Sequence, residues 1–205
     1  MGLYGDHIFP WLLDHTEPNE MAELRRLALS EVRGDVLEIG LGTGGSIPYY
    51  PEAIRALTVV EPSEAMRRRA TRRAEDRGLL LEWHSGRGER LPIEGERFDS
   101  VVLIDVLCTV LDVDAVLAEA YRVLRRGGRL HFLEHGLATD ERTRKWQRRL
   151  NGVNKVTACG CHMTREPEKH LRASRFVIDD ITYAAPFSGT GVLFPHIRGT
   201  ASRPA

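Results

Sequence analysis

Long apolar runs, a disulfide framework and a net charge are all missing from this chain. No apolar stretch approaches the roughly 20 residues that a membrane-spanning helix needs, so no stable membrane insertion is expected. The amino-terminal segment has no basic start followed by an apolar core; no signal peptide is expected, and the chain reads as cytoplasmic. Only three cysteines occur among 205 residues, Cys108, Cys159 and Cys161. An odd, small number does not describe a secreted disulfide scaffold. Cys159-Gly160-Cys161-His162 tempts as a metal cluster, but its ligands are too close in sequence for a usual structural zinc site. No metal centre is expected, and the loop is read as packing or as lying near a substrate. Lysine plus arginine and aspartate plus glutamate both number 29, for a formal net charge of zero. That argues against a strongly basic surface, and no nucleic-acid partner is expected.

What is present is an ordinary globular composition, 42% hydrophobic, long enough for one well-buried domain. Residues 1–205 read as that domain, with residues 1–33 a helical lid or cap and residues 34–205 the core. Apolar spacing at Met21, Leu24, Leu27 and Ala28 predicts a helix from about Glu20 to Val32. A buried strand follows from Asp35 to Ile39, then a Gly-rich turn and a short helix to about Tyr50. Further strands are expected at Ala56–Val60, Leu79–His84, Phe98–Ile104 and Arg129–Leu133. Helices are expected at Glu64–Arg77, Val113–Leu124, about Asp140–Lys155 with Trp146 and Leu150 as its apolar anchors, and Thr164–Ala173. Two adjacent strands close the chain, Phe176–Tyr183 and one within Gly191–Thr200, after a turn at Pro186-Phe187-Ser188-Gly189. The alternation describes an α/β protein, a single doubly wound sheet with helices on both faces, ending in an antiparallel hairpin.

The arginine run Arg67, Arg68, Arg69, Arg72 and Arg73 reads as a solvated helix face partnered by Glu64, Glu75 and Asp76. Tyr4, Phe9 and Trp11 read as core anchors for the first helix, with a lid over the site as the alternative.

The informative run is Val36-Leu37-Glu38-Ile39-Gly40-Leu41-Gly42-Thr43-Gly44-Gly45. Gly40, Gly42 and Gly44 follow a GxGxG spacing at the carboxyl end of a strand, the edge where open α/β sheets bind ligands. No Lys-Ser/Thr follows, which disfavours a phosphate-gripping loop. The glycines alone are weak evidence. Their partner is Glu61, which ends the next strand about 20 residues on; a carboxylate there can accept both hydroxyls of a ribose. The pair points to an adenosine-bearing ligand, NAD or S-adenosylmethionine.

The ordered segments VLEIGLGTGG, VVEPSEAM, GRGERLPI, FDSVVLIDVL and EAYRVLRRGGRLHFLEHG resemble those of class I S-adenosylmethionine-dependent methyltransferases. The resemblance implies a seven-stranded Rossmann-like sheet with an antiparallel last strand, and S-adenosylmethionine as cofactor. It assigns Glu38, Gly40, Gly42 and Gly44 to the turn that receives the methionine portion, Glu61 to the ribose, and Pro62 to the adenine side. Gly88 and Glu89 fall in the loop that borders the adenine; Arg87 stands there where many relatives carry an acid. Asp105 and Val106 fall at the rim between cofactor and acceptor. The later segments LCTVLD and GCHMTRE resemble a subgroup containing bacterial phospholipid- or quinone-methyltransferase-like proteins and animal proteins that methylate alkyl thiols. His135, His162 and Asp105 are the catalytic candidates. The acceptor is expected to be a small molecule, a thiol first. An amine, hydroxyl, lipid or quinone acceptor stays open, as does a noncatalytic adenosine-ligand binder.

Overall fold

Strand β4, Phe98–Ile104, sets the layering. Its last four residues are apolar and buried and alternate between two cores, Val101 and Leu103 on one face, Val102 and Ile104 on the other. A strand buried on both faces must be covered by helices on both sides. In this computed structural model, which describes residues 4–16, 19–184 and 193–205, that is the arrangement.

The order along the chain is α1 (Phe9–Thr16), α2 (Asn19–Leu29), β1 (Gly34–Ile39), β2 (Ile54–Val60), α3 (Glu64–Arg77), β3 (Leu81–His84) and β4. Then come α4 (Val113–Val123), β5 (Leu124–His135), α5 (Glu141–Thr157), α6 (Pro167–Ala173), β6 (Val177–Tyr183) and β7 (His196–Ser202). The sheet order is β3-β2-β1-β4-β5-β7-β6. β1 to β5 pair in parallel, and β7 runs antiparallel to both β5 and β6. The seven-stranded sheet and its antiparallel last strand are as expected. The chain leaves β1 toward β2 on one side and returns at β4 on the other. The carboxyl ends of β1 and β4 therefore flank the topological switch point, where such sheets open a crevice.

One core packs α2 and α3 on the sheet through Met21, Ala28, Leu29, Ala70 and Ala74. The other packs α4 through Val113, Val116, Leu117, Ala120 and Tyr121, the i, i+3, i+4, i+7 spacing of one helix face. Each fully buried aliphatic side chain contributes about 1.5–3 kcal/mol, so these faces dominate stability. Ser63 caps α3 by accepting from the Met66 N–H, and Gly78 ends it at φ +68°. No helix among the described residues is long and apolar enough to cross a membrane.

Several expectations are corrected. The helix expected after the glycine turn is a series of turns and one 3-10 turn, Ile47–Tyr49, because Pro48 and Pro51 interrupt any longer helix. The fifth strand is longer than the expected Arg129–Leu133: β5 begins at Leu124 and takes in Arg125–Gly128, where Gly127 N–H donates to Arg203 O. Trp146 and Leu150 do not anchor α5. They are 49% and 37% exposed, and Val153 and Val156 continue the outward stripe. The inward stripe is Gln147, Asn151 and Asn154, amides that bond backbone. Gln147 donates to Gly136 O and Leu193 O and accepts from Ala138 N–H.

The arginine run is also partnered differently. Arg68 pairs with Glu64, but Arg69 and Arg73 reach Asp14 of α1 at 2.7 and 2.8 Å, and Arg77 donates to Ile47 O and Tyr50 O. Tyr4 and Trp11 are exposed rather than core anchors; Tyr4 Oη donates to Thr157 O and Trp11 stacks on His15. The expected turn at residues 186–189 lies outside the described residues.

Candidate functional site

Two groups of side chains meet at the carboxyl ends of the strands. The first surrounds the glycine turn. Gly40 closes β1, and its N–H donates to Val60 O at 2.8 Å. Its φ is +75°, and a Cβ there would stand 2.7 Å from Val106 Cγ2. Gly40 is therefore required by conformation and by space. Gly42, at φ +60°, differs: a Cβ there meets nothing within 4 Å, so the turn faces open space. Gly44 packs against Ile47 and the backbone of Ala70, which ties the turn to α3.

Glu61 sits directly after β2, 7% exposed. Its Oε2 accepts from Gly42 N–H at 3.0 Å and its Oε1 from Ser63 N–H at 2.8 Å. Burial raises its pKa, and the two N–H donors pull it back. Each oxygen keeps a lone pair for a further donor. Glu38 lies under the turn, 1% exposed. The Ser46 hydroxyl donates to its two oxygens at 2.8 and 2.9 Å and the Tyr50 hydroxyl to Oε2 at 2.8 Å. Burial pushes its carboxyl up to about 7, against the pull of those hydroxyls. Arg25 of α2 reaches the same turn, with its guanidinium against Gly45.

The other adenine-side candidates divide. Pro62 is exposed, and so is Arg87. Gly88 is buried because it packs on Ile39 and Val116, where a Cβ would be 2.8 Å from Ile39 Cγ2. The Glu89 carboxylate accepts from Leu111 N–H at 2.8 Å and so pins the loop after β4.

The second group is assembled from distant segments. Asp105 follows β4 in the left-handed region, φ +53°, a conformation uncommon for a non-glycine residue and concentrated at functional sites. Its Oδ1 is 3.1 Å from His196 Nε2, and His196 Nδ1 is 2.7 Å from Phe194 O. Burial works to raise the Asp105 pKa, but His196 and His135 outweigh it and hold the carboxyl well below the usual range. Glu134, at the end of β5, accepts from the N–H groups of Val106 and Leu107 at 3.0 and 3.1 Å. Burial, helped by nearby Asp105, pushes it up to about 8.

His135 Nε2 lies 3.1 Å from Cys161 Sγ, while its ring meets Phe194 and His196 edge to face. Hydrogen bonds from Cys108 and His135 draw the Cys161 thiol down toward thiolate; burial and Cys161 push the Cys108 thiol up. Burial opposes a charge on His135, but Cys161 and Asp105 prevail and raise it. His162 stands apart. Its N–H donates to Cys108 O at 2.8 Å, but its ring takes no part in the Cys108–His135–Cys161 cluster.

The structure thus brings together Glu38, Gly40, Gly42, Gly44 and Glu61 on one side of the switch point, and Asp105 and His135 on the other. Val106 bridges them by packing on Gly40. Sequence reasoning missed His196, Arg25 and Cys161. His196 arrives only through β7 pairing, in register with His135. The one available signal for Cys161 was its place in the Cys159–His162 run.

Comparison with known proteins bears on the family and the fold. A family profile described as "Methyltransferase domain" matches residues 37–132. The chain is 34% identical over 170 residues to thiol S-methyltransferase TMT1B of Rattus norvegicus, covering 81% of this chain and 69% of that protein. It is 31% identical over 209 residues to thiol S-methyltransferase TMT1B of Homo sapiens, covering 94% and 85%. Among solved structures, a geranyl diphosphate methyltransferase in complex with GPP and sinefungin superposes with a TM-score of 0.69 at 20% identity. That match covers 90% of this chain and 78% of the other, and it bears on the fold alone.

Proposed function

The chain belongs to the S-adenosylmethionine-dependent methyltransferases that act on small molecules, and we propose that its acceptor is a small thiol. One observation carries the reading. A chain 31–34% identical to thiol S-methyltransferases gathers two thiols and two imidazoles beside Asp105, which supports reading that edge as the acceptor's.

The residues fit the cofactor. Glu61 has two lone pairs left for a ribose diol after Gly42 and Ser63 have donated. Gly42 leaves open space above the turn. When bound, S-adenosylmethionine supplies a methyl group already activated by its sulfonium. The work left to the chain is binding, orientation and exclusion of water. Placement of this kind is worth about 7–11 kcal/mol in favourable cases. In this reading Glu61 holds the ribose, Gly40 and Gly42 let the backbone approach the methionine portion, and buried Glu38 braces the turn through Ser46 and Tyr50. Asp105, His135 and His196 border the acceptor.

A thiol suits such an edge. With a pKa near 8.5, a few per cent is thiolate at neutral pH, and thiolate is strongly nucleophilic; an amine with a pKa near 10 needs more help to lose its proton. A panel of small thiols, amines and phenols, read by the mass gained on methylation, tests the reading. Thiols are expected to dominate in kcat/KM. Amines or phenols turned over as well as thiols overturn the thiol assignment.

A further inference from the structure

We propose that Cys108, His135 and Cys161 form a site for a zinc ion, with three protein ligands and one open position. The three residues come from three separate segments: the loop after β4, the end of β5 and the loop after α5. One ligand atom from each lies within 4.8 Å of the others, and the residues are 2%, 5% and 7% exposed. Tetrahedral zinc, with Zn–S about 2.3 Å and Zn–N about 2.0–2.1 Å, sets sulfur and nitrogen roughly 3.5 Å apart and two sulfurs roughly 3.8 Å apart. His135 Nε2 and Cys161 Sγ stand at 3.1 Å, so a small opening of side chains admits the ion.

The surroundings hold the donors in place. Glu134 pins the Cys108 loop by accepting from the N–H groups of Val106 and Leu107. Asn154 Nδ2 donates to Cys161 O at 2.9 Å. The His162 N–H to Cys108 O bond joins the two cysteine loops side by side.

The nitrogen that faces Cys161 is His135 Nε2, which leaves Nδ1 buried with no hydrogen-bond partner among the described residues. Two thiolates and one dication make a neutral group, which suits an interior that a bare charge does not. The donor set selects the ion: sulfur and imidazole without carboxylate favour zinc over calcium or magnesium. Three ligands and an open fourth position is the pattern of catalytic zinc rather than of closed structural sites.

The open position extends the thiol reading, and this step alone rests on it. A thiol acceptor binds there as thiolate and releases its S–H proton to solvent. As the thiolate sulfur bonds to the methyl carbon, the bond from that carbon to the sulfonium would break, its electron pair staying on the sulfur of S-adenosylhomocysteine; the neutral thioether would be a weaker zinc ligand and would depart.

The test uses the purified full chain. Elemental analysis should find about one zinc per chain. Cobalt exchange should give thiolate-to-cobalt absorption with the visible bands of tetrahedral cobalt. Cys161→Ser should abolish those bands and Cys159→Ser should retain them. Should Cys161→Ser fail to fold, alkylation of the wild-type protein with and without zinc replaces it, with Cys108 and Cys161 protected and Cys159 not. Absence of zinc together with no thiolate band on cobalt addition overturns the site, as does equal loss in the Cys159 and Cys161 variants. Zinc bound without any thiol turnover leaves the site standing and overturns the thiol acceptor. Undiminished thiol turnover after zinc removal overturns only the acceptor's place at the ion.

Discussion

The two sides of the strand-end crevice are made of different material. The glycine-turn side is main chain and carboxylate: Glu61 is held by two backbone N–H groups, and the glycines give conformation and clearance. Apart from Arg25, its parts lie within residues 38–63. The opposite side is side chain on side chain: Asp105 on His196, 91 residues apart, and His135 on Cys161, 26 residues apart. The first side is local and generic, and suits a ligand that a whole family shares. The second is long-range and particular, and suits an acceptor that differs between relatives.

The largest effect expected from breaking one side alone is at Glu61. Glu61→Ala removes the carboxylate proposed to hold the ribose and leaves the Gly42 and Ser63 N–H groups unpaired. Calorimetry should show cofactor affinity lower by about 100-fold, roughly 3 kcal/mol. Unchanged affinity would remove Glu61 from the ribose.

Gly40→Ala tests the seam between the sides. Strain at φ +75° and the 2.7 Å approach to Val106 should cost about 2–3 kcal/mol of stability. Gly42→Ala has open space and should cost about 1 kcal/mol, while weakening cofactor binding more than its stability loss suggests. Equal melting temperatures for the two variants would contradict the division of roles.

The third effect is pH-dependent. An acid whose native pKa lies above its unfolded value holds its proton more tightly when folded. The Glu38 contribution to cofactor-free stability, its pKa raised from 4.5 to about 7, should fall as pH climbs from about 4.5 to about 7 and level off above. Glu38→Gln should flatten that slope, gaining about 2 kcal/mol on wild type between pH 5 and pH 8. Parallel curves would mean that Glu38 does not titrate there.

The smallest effect falls on the acceptor side. His135→Ala should lower thiol kcat/KM by about tenfold, near 1.4 kcal/mol, with cofactor affinity within about twofold. A matching loss of cofactor affinity would erase the distinction between the two sides.

Much of the fold is legible in the chain because local pattern and tertiary role agree. β4 and α3 fall at Phe98–Ile104 and Glu64–Arg77, where the sequence pattern puts them. Agreement fails where a segment packs on something other than apolar core. α5 turns Gln147, Asn151 and Asn154 inward because it lies on the loops at Gly136, Ala138, Cys161 and Met163, whose backbone groups need partners. Its apolar residues face out, the reverse of what periodicity implies. The Gly88–Glu89 loop fails likewise: Gly88 serves packing and Glu89 holds Leu111 N–H, roles that no motif spells out.

By itself the amino-acid sequence determined the doubly wound sheet, the glycine turn and the Glu61 partner; the methyltransferase class followed from the resemblance of the ordered segments to that family. Those features depend on neighbours in the chain or on the period of a strand or helix. Only the tertiary structure decided that Cys108, His135 and Cys161 meet, that His196 reaches Asp105, and that Trp146 faces outward. The contacts of those residues join segments whose separation in sequence carries no record of their distance in space.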